Sequence, residues 1–256
     1  MRSIVAAAAL LAALVSSGRA EVIRVIGSTT VTSEVMGPHQ AEIERLSGQT
    51  IVLLPSRSSL GVFGLFEGHQ IAMISSSMKD LLVELKKERP ELAYDRLRVF
   101  NLSRTRVAFS ENRENSVRYT DLKTMQRILT GEITSWREVG GSDLPIRIVK
   151  VGEGGGVQAT IESQLKLKVV TKNTILVQIS SQVNKVVEQL PEALGLAQIE
   201  NLRGSDAVEL KTDRPIEQEL NLVTLDDPPP SVLSVIEATK QVAAALADSQ
   251  TNQPSR

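Results

Sequence analysis

The chain is expected to fold as two α/β lobes of similar size on mixed, mainly parallel sheets. Three observations predict this. The composition is that of an ordinary globular protein: 256 residues, 41% AVILMFWYC with 16 glycines, and no cysteine. Residues 22–89 contain three successive units of apolar strand, hydroxyl-rich loop and helix, the pattern of parallel strands joined by crossover helices. The same alternation restarts beyond Phe100 and continues to about residue 197. The length allows one large or two smaller domains with enough interior to need no disulfide staples.

The N-terminus reads as an export signal. Arg2 precedes a 12-residue apolar run at 4–15 and a small-residue stretch ending at Ala20, too short for a membrane span of about 20 residues. Residues 1–20 are therefore expected to be removed after Ala20, leaving a soluble, exported chain from Glu21. Loss of Arg2 and Arg19 would take the net charge from −1 to −3. No later run is apolar long enough to span.

From Glu21 onward each element has a local reason. Residues 22–26 are a β-rich run that ends in Gly27-Ser28-Thr29-Thr30-Val31-Thr32-Ser33, from which a helical pattern runs to Leu46 and stops at Gly48. Residues 51–54 form a second buried strand, Pro55-Ser56-Arg57-Ser58-Ser59-Leu60-Gly61 its loop, and 62–67 a helix ended by Gly68. Residues 71–74 are the third strand, leaving through Ser75-Ser76-Ser77 into a helix over 78–89 that Pro90 breaks. In the second half, strands are expected at 107–109, 146–151 and 194–197. Helices are expected at about 120–129, 157–165 and 180–190, with Asp121 near the start of the first. Strands at 208–210 and 220–224, a rigid Asp226-Asp227-Pro228-Pro229-Pro230 turn and a helix over 231–247 complete the chain.

Composition also restricts function. With Lys+Arg 29 against Asp+Glu 30 and no single-sign run, a nucleic-acid partner is not expected. Without cysteine, and with only His39 and His69, neither a metal site nor a cofactor is expected, and enzymatic catalysis has few residues to use. Both histidines read as ordinary surface or core residues, Trp136 as packing, and Lys86-Lys87-Glu88-Arg89 as a solvated helix face. Gly154-Gly155-Gly156 is no nucleotide loop, because no Gly-Lys-Ser/Thr follows.

What remains is the hydroxyl loops. Serine and threonine hydroxyls beside free N–H groups at helix starts suit a tetrahedral oxyanion, and in a parallel sheet three such loops gather at one end. A single loop of this kind is more often a helix cap.

Gly27-Ser28-Thr29-Thr30-Val31, Ile71-Ala72-Met73-Ile74-Ser75-Ser76, the stretch LKTMQRILTGEITSW at 122–136 with Glu138-Val139-Gly140-Gly141, Pro191-Glu192-Ala193-Leu194-Gly195 and Arg214-Pro215-Ile216 running into Leu220-Asn221-Leu222-Val223-Thr224 resemble the phosphate-binding proteins of bacterial phosphate ABC transporters. The resemblance covers almost the whole chain beyond Glu21 and implies a type II periplasmic-binding-protein fold with a ligand cleft between lobes. It implies crossings near 104–107 and 197–202, and so lobes at 21–106 plus 199–256 and at 107–198. It also implies inorganic phosphate or a related oxyanion as ligand, a membrane ABC permease as partner, and a periplasmic monomer.

Carried over by position, the first loop supplies Thr29, the Thr30 hydroxyl and the Val31 N–H, the second Ser58 beside Arg57, the third Ser75 and Ser76, and the second lobe Gly155, Gly156 and Val157. The chain departs from the family there. Relatives usually hold Ser-Gly-Thr with an arginine four residues before the serine; here Gly155-Gly156-Val157 follows Val151, with Lys150 as the nearest cation. Lysine gives a point charge without arginine's bidentate fork. Ser76 stands where relatives hold Asp or Arg. At about 1.5–3 kcal/mol per charge-assisted hydrogen bond, three lost partners would weaken binding by orders of magnitude unless glycine-loop amides replace them. The rival expectation is a binding fold that has lost its ligand and serves as a protein-interaction or signalling component. A hydrolase would need a serine paired with His39 or His69.

Overall fold

A computed structural model describes residues 21–152, 156–167 and 171–251. The expected export signal, residues 1–20, lies outside the described residues, as does Gly155. The first unit is β1 (Val22–Ser28), one short turn of helix α1 (Thr29–Val31), a five-residue π-helical stretch at Thr32–Met36, and α2 (Gln40–Ser47). The single helix expected up to Leu46 is thus broken, because Pro38 has no N–H to continue the ladder. There follow β2 (Thr50–Ser56), α3 (Ser58–Phe66), β3 (Ile71–Ile74) and α4 (Met78–Glu88).

Next is β4 (Leu97–Glu111), 15 residues long where only 107–109 was expected. Its first two-thirds carry Arg98, Asn101, Ser103, Arg104, Thr105 and Arg106 among the apolar residues with no clean alternation, which obscures the strand pattern. Then come β5 (Tyr119–Thr120), α5 (Leu122–Thr130), β6 (Arg147–Val151), α6 (Gly156–Gln164), β7 (Thr174–Val177), which was not expected, α7 (Ser181–Gln189) and β8 (Ala193–Gln198). Short strands β9 (Val208–Glu209) and β10 (Lys211–Thr212) precede β11 (Ile216–Leu225) and the closing helix α8 (Pro230–Thr251).

The expected α/β class holds, with a mixed sheet running in the order β2-β1-β3-β11-β4-β8-β6-β7. Parallel pairs lie at both ends, β1 with β2 and β3, and β6 with β7 and β8. In the middle, β11 and β4 run antiparallel over ten paired residues, with a register shift between Leu220 and Asn221. These two long strands tie the halves together.

The core divides accordingly. Around β1 and β3, Ile23, Val25, Ile71 and Met73 pack with Val35, Met36 and Ile43 and with Val232, Val235 and Ile236 of α8. Val62, Leu65, Leu81 and Leu85 of α3 and α4 cover the other face of β3 with Tyr94. In the second half Trp136 is fully buried among Met125, Ile128 and Leu129 of α5, Val107, Phe109 and Leu196, and its indole N–H donates to the Glu192 carbonyl at 3.0 Å. Leu210 and Ile216 belong to this second core, beyond the crossing expected at 197–202. Among the described residues no helix is long and apolar enough to cross a membrane.

Candidate functional site

The three hydroxyl loops do leave the C-terminal ends of the parallel strands β1, β2 and β3. Gly27 makes the first of these exits possible. It has φ +127°, and a Cβ there would lie 2.4 Å from the Met73 carbonyl oxygen and 3.2 Å from the Gly61 Cα, so β1, β3 and α3 approach closely only because the side chain is absent. The Ser28 hydroxyl then accepts from the Val31 N–H at 3.3 Å, and the Ser58 hydroxyl accepts from the Ser75 N–H at 3.2 Å. Thr30, Ser75 and Ser76 are buried and Thr29 is exposed.

The second half reaches these loops at two points. Gln198, at the end of β8, donates from Nε2 to the Thr30 hydroxyl at 2.8 Å. The start of α6 lies against the third loop: a Cβ on Gly156 would fall 2.2 Å from Ser75 Oγ, 2.9 Å from Gln218 Nε2 and 3.1 Å from the Ser75 carbonyl oxygen. Gln218 itself, completely buried on β11, donates to that carbonyl at 2.7 Å, while its Oε1 has no partner among the described residues. Further along α6, Ser163 donates to Asp80 at 2.5 Å and Gln164 to the Glu217 carbonyl at 2.5 Å.

Behind Gln198 is a neutral network. Ser180 donates to Gln198 Oε1 at 2.5 Å, Asn201 donates to both at 2.9 and 3.0 Å, and Asn184 links the Asn201 carbonyl to the Ser110 hydroxyl at 2.8 and 2.7 Å. Gln198→Leu is expected to cost about 1 kcal/mol, because it removes the hydrogen bonds that tie Thr30, Ser180 and Asn201 together and leaves the buried Thr30 hydroxyl without its donor, and urea unfolding would read this directly. Nearby, burial and then the Glu200 carboxylate raise Glu34 above the usual carboxylate range, against the Ser33 hydroxyl and Arg203.

The expected site residues fall around two cavities rather than one. Thr29, Thr30, Lys150, Gly156 and Val157 border a chamber of about 250 Å³. Arg57, Ser58, Ser76 and again Gly156 border a groove of about 590 Å³. Val31 and Ser75 are packed between elements. Lys150 Nζ donates to Gln158 Oε1 at 2.8 Å, and Gln158 in turn donates to Glu162 at 2.5 Å. Sequence reasoning missed Gln198 and Gln218: a glutamine on a strand looks like any solvated polar residue until its neighbours are known. It also missed Gln158 as the brace of Lys150.

Chemically, this junction offers hydroxyl protons from Thr30 and Ser58, which serve here as acceptors and keep a proton to donate, together with the N-terminal end of a nine-residue helix. It has no nucleophile–base pair among the described residues. His39 Nδ1 faces the Val35 carbonyl at 3.0 Å and His69 Nδ1 is buried without a partner among the described residues, where neither ring engages a serine. No cluster of three or more His, Cys, Asp or Glu able to hold a metal occurs among the described residues.

Comparisons with known proteins agree with this architecture. A "Phosphate-binding protein PstS" from Borreliella burgdorferi is 26% identical over 148 residues, which is 56% of this chain and 49% of that protein, so the match spans about half of the relative's length. An ABC-type phosphate transport receptor from Vibrio cholerae superposes with a TM-score of 0.72 at 20% identity, covering 89% of this chain and 97% of that one. The crystal structure of PstS from Borrelia burgdorferi superposes with a TM-score of 0.60 at 18% identity, covering 90% and 97%. At these identities the superpositions establish the fold, that of two-lobed type II periplasmic binding proteins. The family model described as the PBP superfamily domain matches residues 15–248, nearly the entire chain, and the protein is a member of that superfamily.

Proposed function

We infer that this protein is an exported, periplasmic solute-binding protein that captures a small oxyanion, inorganic phosphate above all, between two lobes and delivers it to a membrane ABC permease. The proposed lobes are 21–106 with 199–256 and 107–198, with Leu210 and Ile216 lying on the second lobe's core. The observation that carries the reading is the seating of the α6 N-terminus on Ser75, which a Cβ at Gly156 would forbid. Backbone amides with the partial positive charge of a helix start, set against serine and threonine hydroxyls, are what an oxyanion recognises. Delivery then needs no covalent chemistry: a ligand that contacts both halves binds the closed form better than the open form and shifts the population toward it. The name of the Borreliella relative supports phosphate as the ligand.

The test is isothermal titration of the protein, unfolded and refolded to strip ligand, with phosphate and then sulfate at neutral pH. Micromolar or tighter phosphate binding is expected. Absence of heat and of any thermal shift at millimolar anion would refute it. A second reading, a binding fold that has lost its ligand and acts through a protein partner, is favoured by one observation: the Val31 and Ser75 N–H groups are already given to the Ser28 and Ser58 hydroxyls. That same negative titration is its expected result.

A further inference from the structure

Two hydrogen bonds join the halves directly, one at each of the cavities that Gly156 borders. At the 250 Å³ chamber, Gln198 donates to the Thr30 hydroxyl at 2.8 Å, and both side chains are buried. At the 590 Å³ groove, Ser163 of α6 donates to the Asp80 carboxylate of α4 at 2.5 Å. In the lobe division proposed above, Thr30 and Asp80 belong to 21–106, and Gln198 and Ser163 to 107–198. At Gly156 the backbone of α6 meets the third loop without room for a methyl group, since a Cβ would fall 2.2 Å from Ser75 Oγ. Gln198 is fixed in turn by Ser180 at 2.5 Å and Asn201 at 3.0 Å.

These contacts are made by the protein's own groups, and separating the lobes breaks them. They therefore favour the closed arrangement over the open one whatever solute is at hand, and an interaction made in one of two states shifts the population toward it. The bond to Asp80 is charge-assisted, and the bond to Thr30 is shielded from water, so neither is a weak surface contact. We propose that Asp80–Ser163 and Thr30–Gln198 form a built-in latch that holds the two lobes closed over the hydroxyl loops without a bound solute. Opening of the latch, and not encounter with the solute, then sets the rate of uptake. The latch goes beyond the oxyanion reading: it rests on the lobe division given there and not on the identity of the solute.

The chain has no cysteine, so spin labels on Glu42→Cys of α2 and Lys185→Cys of α7, exposed positions in the two lobes, report a single interlobe distance. Read by pulsed electron spin resonance on protein unfolded and refolded to strip solute, that distance is expected to form one population that added phosphate leaves unchanged. In the same labelled protein, Asp80→Ala with Thr30→Val is expected to add a longer population of about a tenth or more, and Ser163→Ala with Thr30→Val to do the same. Urea unfolding of both variants checks that they remain folded. A second, longer population in the labelled parent overturns the latch: if phosphate removes it the oxyanion reading stands, and if phosphate leaves it unchanged that reading falls too. A single distance that neither variant alters overturns the latch and the lobe motion together.

Discussion

Gly156→Ala is expected to lower affinity for the bound anion at least a hundredfold and to destabilise the fold by about 1–3 kcal/mol, the usual cost of forcing a methyl group into a packed junction. The added Cβ meets Ser75 Oγ at 2.2 Å, Gln218 Nε2 at 2.9 Å and the Ser75 carbonyl oxygen at 3.1 Å. Rotating Ser75 relieves only the first of these. Gln218 is held by its bond to the Ser75 carbonyl, and the third atom is backbone, so α6 must move away from the loop. The helix start then no longer reaches the hydroxyls, and an anion that bridges the halves loses one side of its site. Titration and urea unfolding together check this. A variant that keeps full affinity would mean that the α6 N-terminus takes no part in binding.

Glu111→Gln is expected to remove a pH dependence of stability worth about 3 kcal/mol. The Glu111 carboxyl is completely buried at the end of β4, with Oε1 accepting from Arg118 at 2.6 Å and Oε2 without a partner among the described residues. Burial raises its pKa from 4.5 to about 7, against the opposing pull of Arg118. The native chain therefore keeps this proton to a higher pH than the unfolded chain does. Between pH 4.5 and 7 it binds more protons than the unfolded state, and stability falls as pH rises through that window. Glutamine cannot ionise and still offers Arg118 an oxygen. Urea unfolding from pH 4.5 to 8 should give a flatter curve for the variant, with the two proteins closest at the acid end. Parallel curves would show that folding does not raise the Glu111 carboxyl above its ordinary range. Asp121, Glu138 and Asp226, whose carboxyls are held below the usual range by hydrogen bonds, contribute equally to both proteins and cancel.

Much of the molecule is legible in the sequence alone. The helix expected at about 120–129 is α5, Leu122–Thr130, because Leu122, Met125, Ile128 and Leu129 form one apolar stripe and Asp121 caps it by accepting from the Thr124 N–H at 2.8 Å. Strand β3, four buried residues between a turn and three serines, was equally plain. The long strand β4 was not. It carries both halves, so its outer stretch is half solvated and its apolar residues do not alternate cleanly. β7 was too short to stand out from the polar sequence around it. The π-helical stretch at Thr32–Met36 replaced part of an expected helix because the pattern of apolar residues is nearly the same for both.

The residues themselves determined the α/β class, the units of strand, hydroxyl loop and helix, and the anion-like chemistry of those loops, since each depends on neighbours within a few positions. Only the tertiary structure decided which amides those hydroxyls hold, how the site residues divide between two cavities, and which distant groups meet at the junction. Gln198 lies 168 positions from Thr30, and Gln218 lies 143 from Ser75. Contacts over such separations are set by the pairing of β4 with β11 and β8 and by the missing Cβ at Gly156, and they leave no periodic trace in the chain.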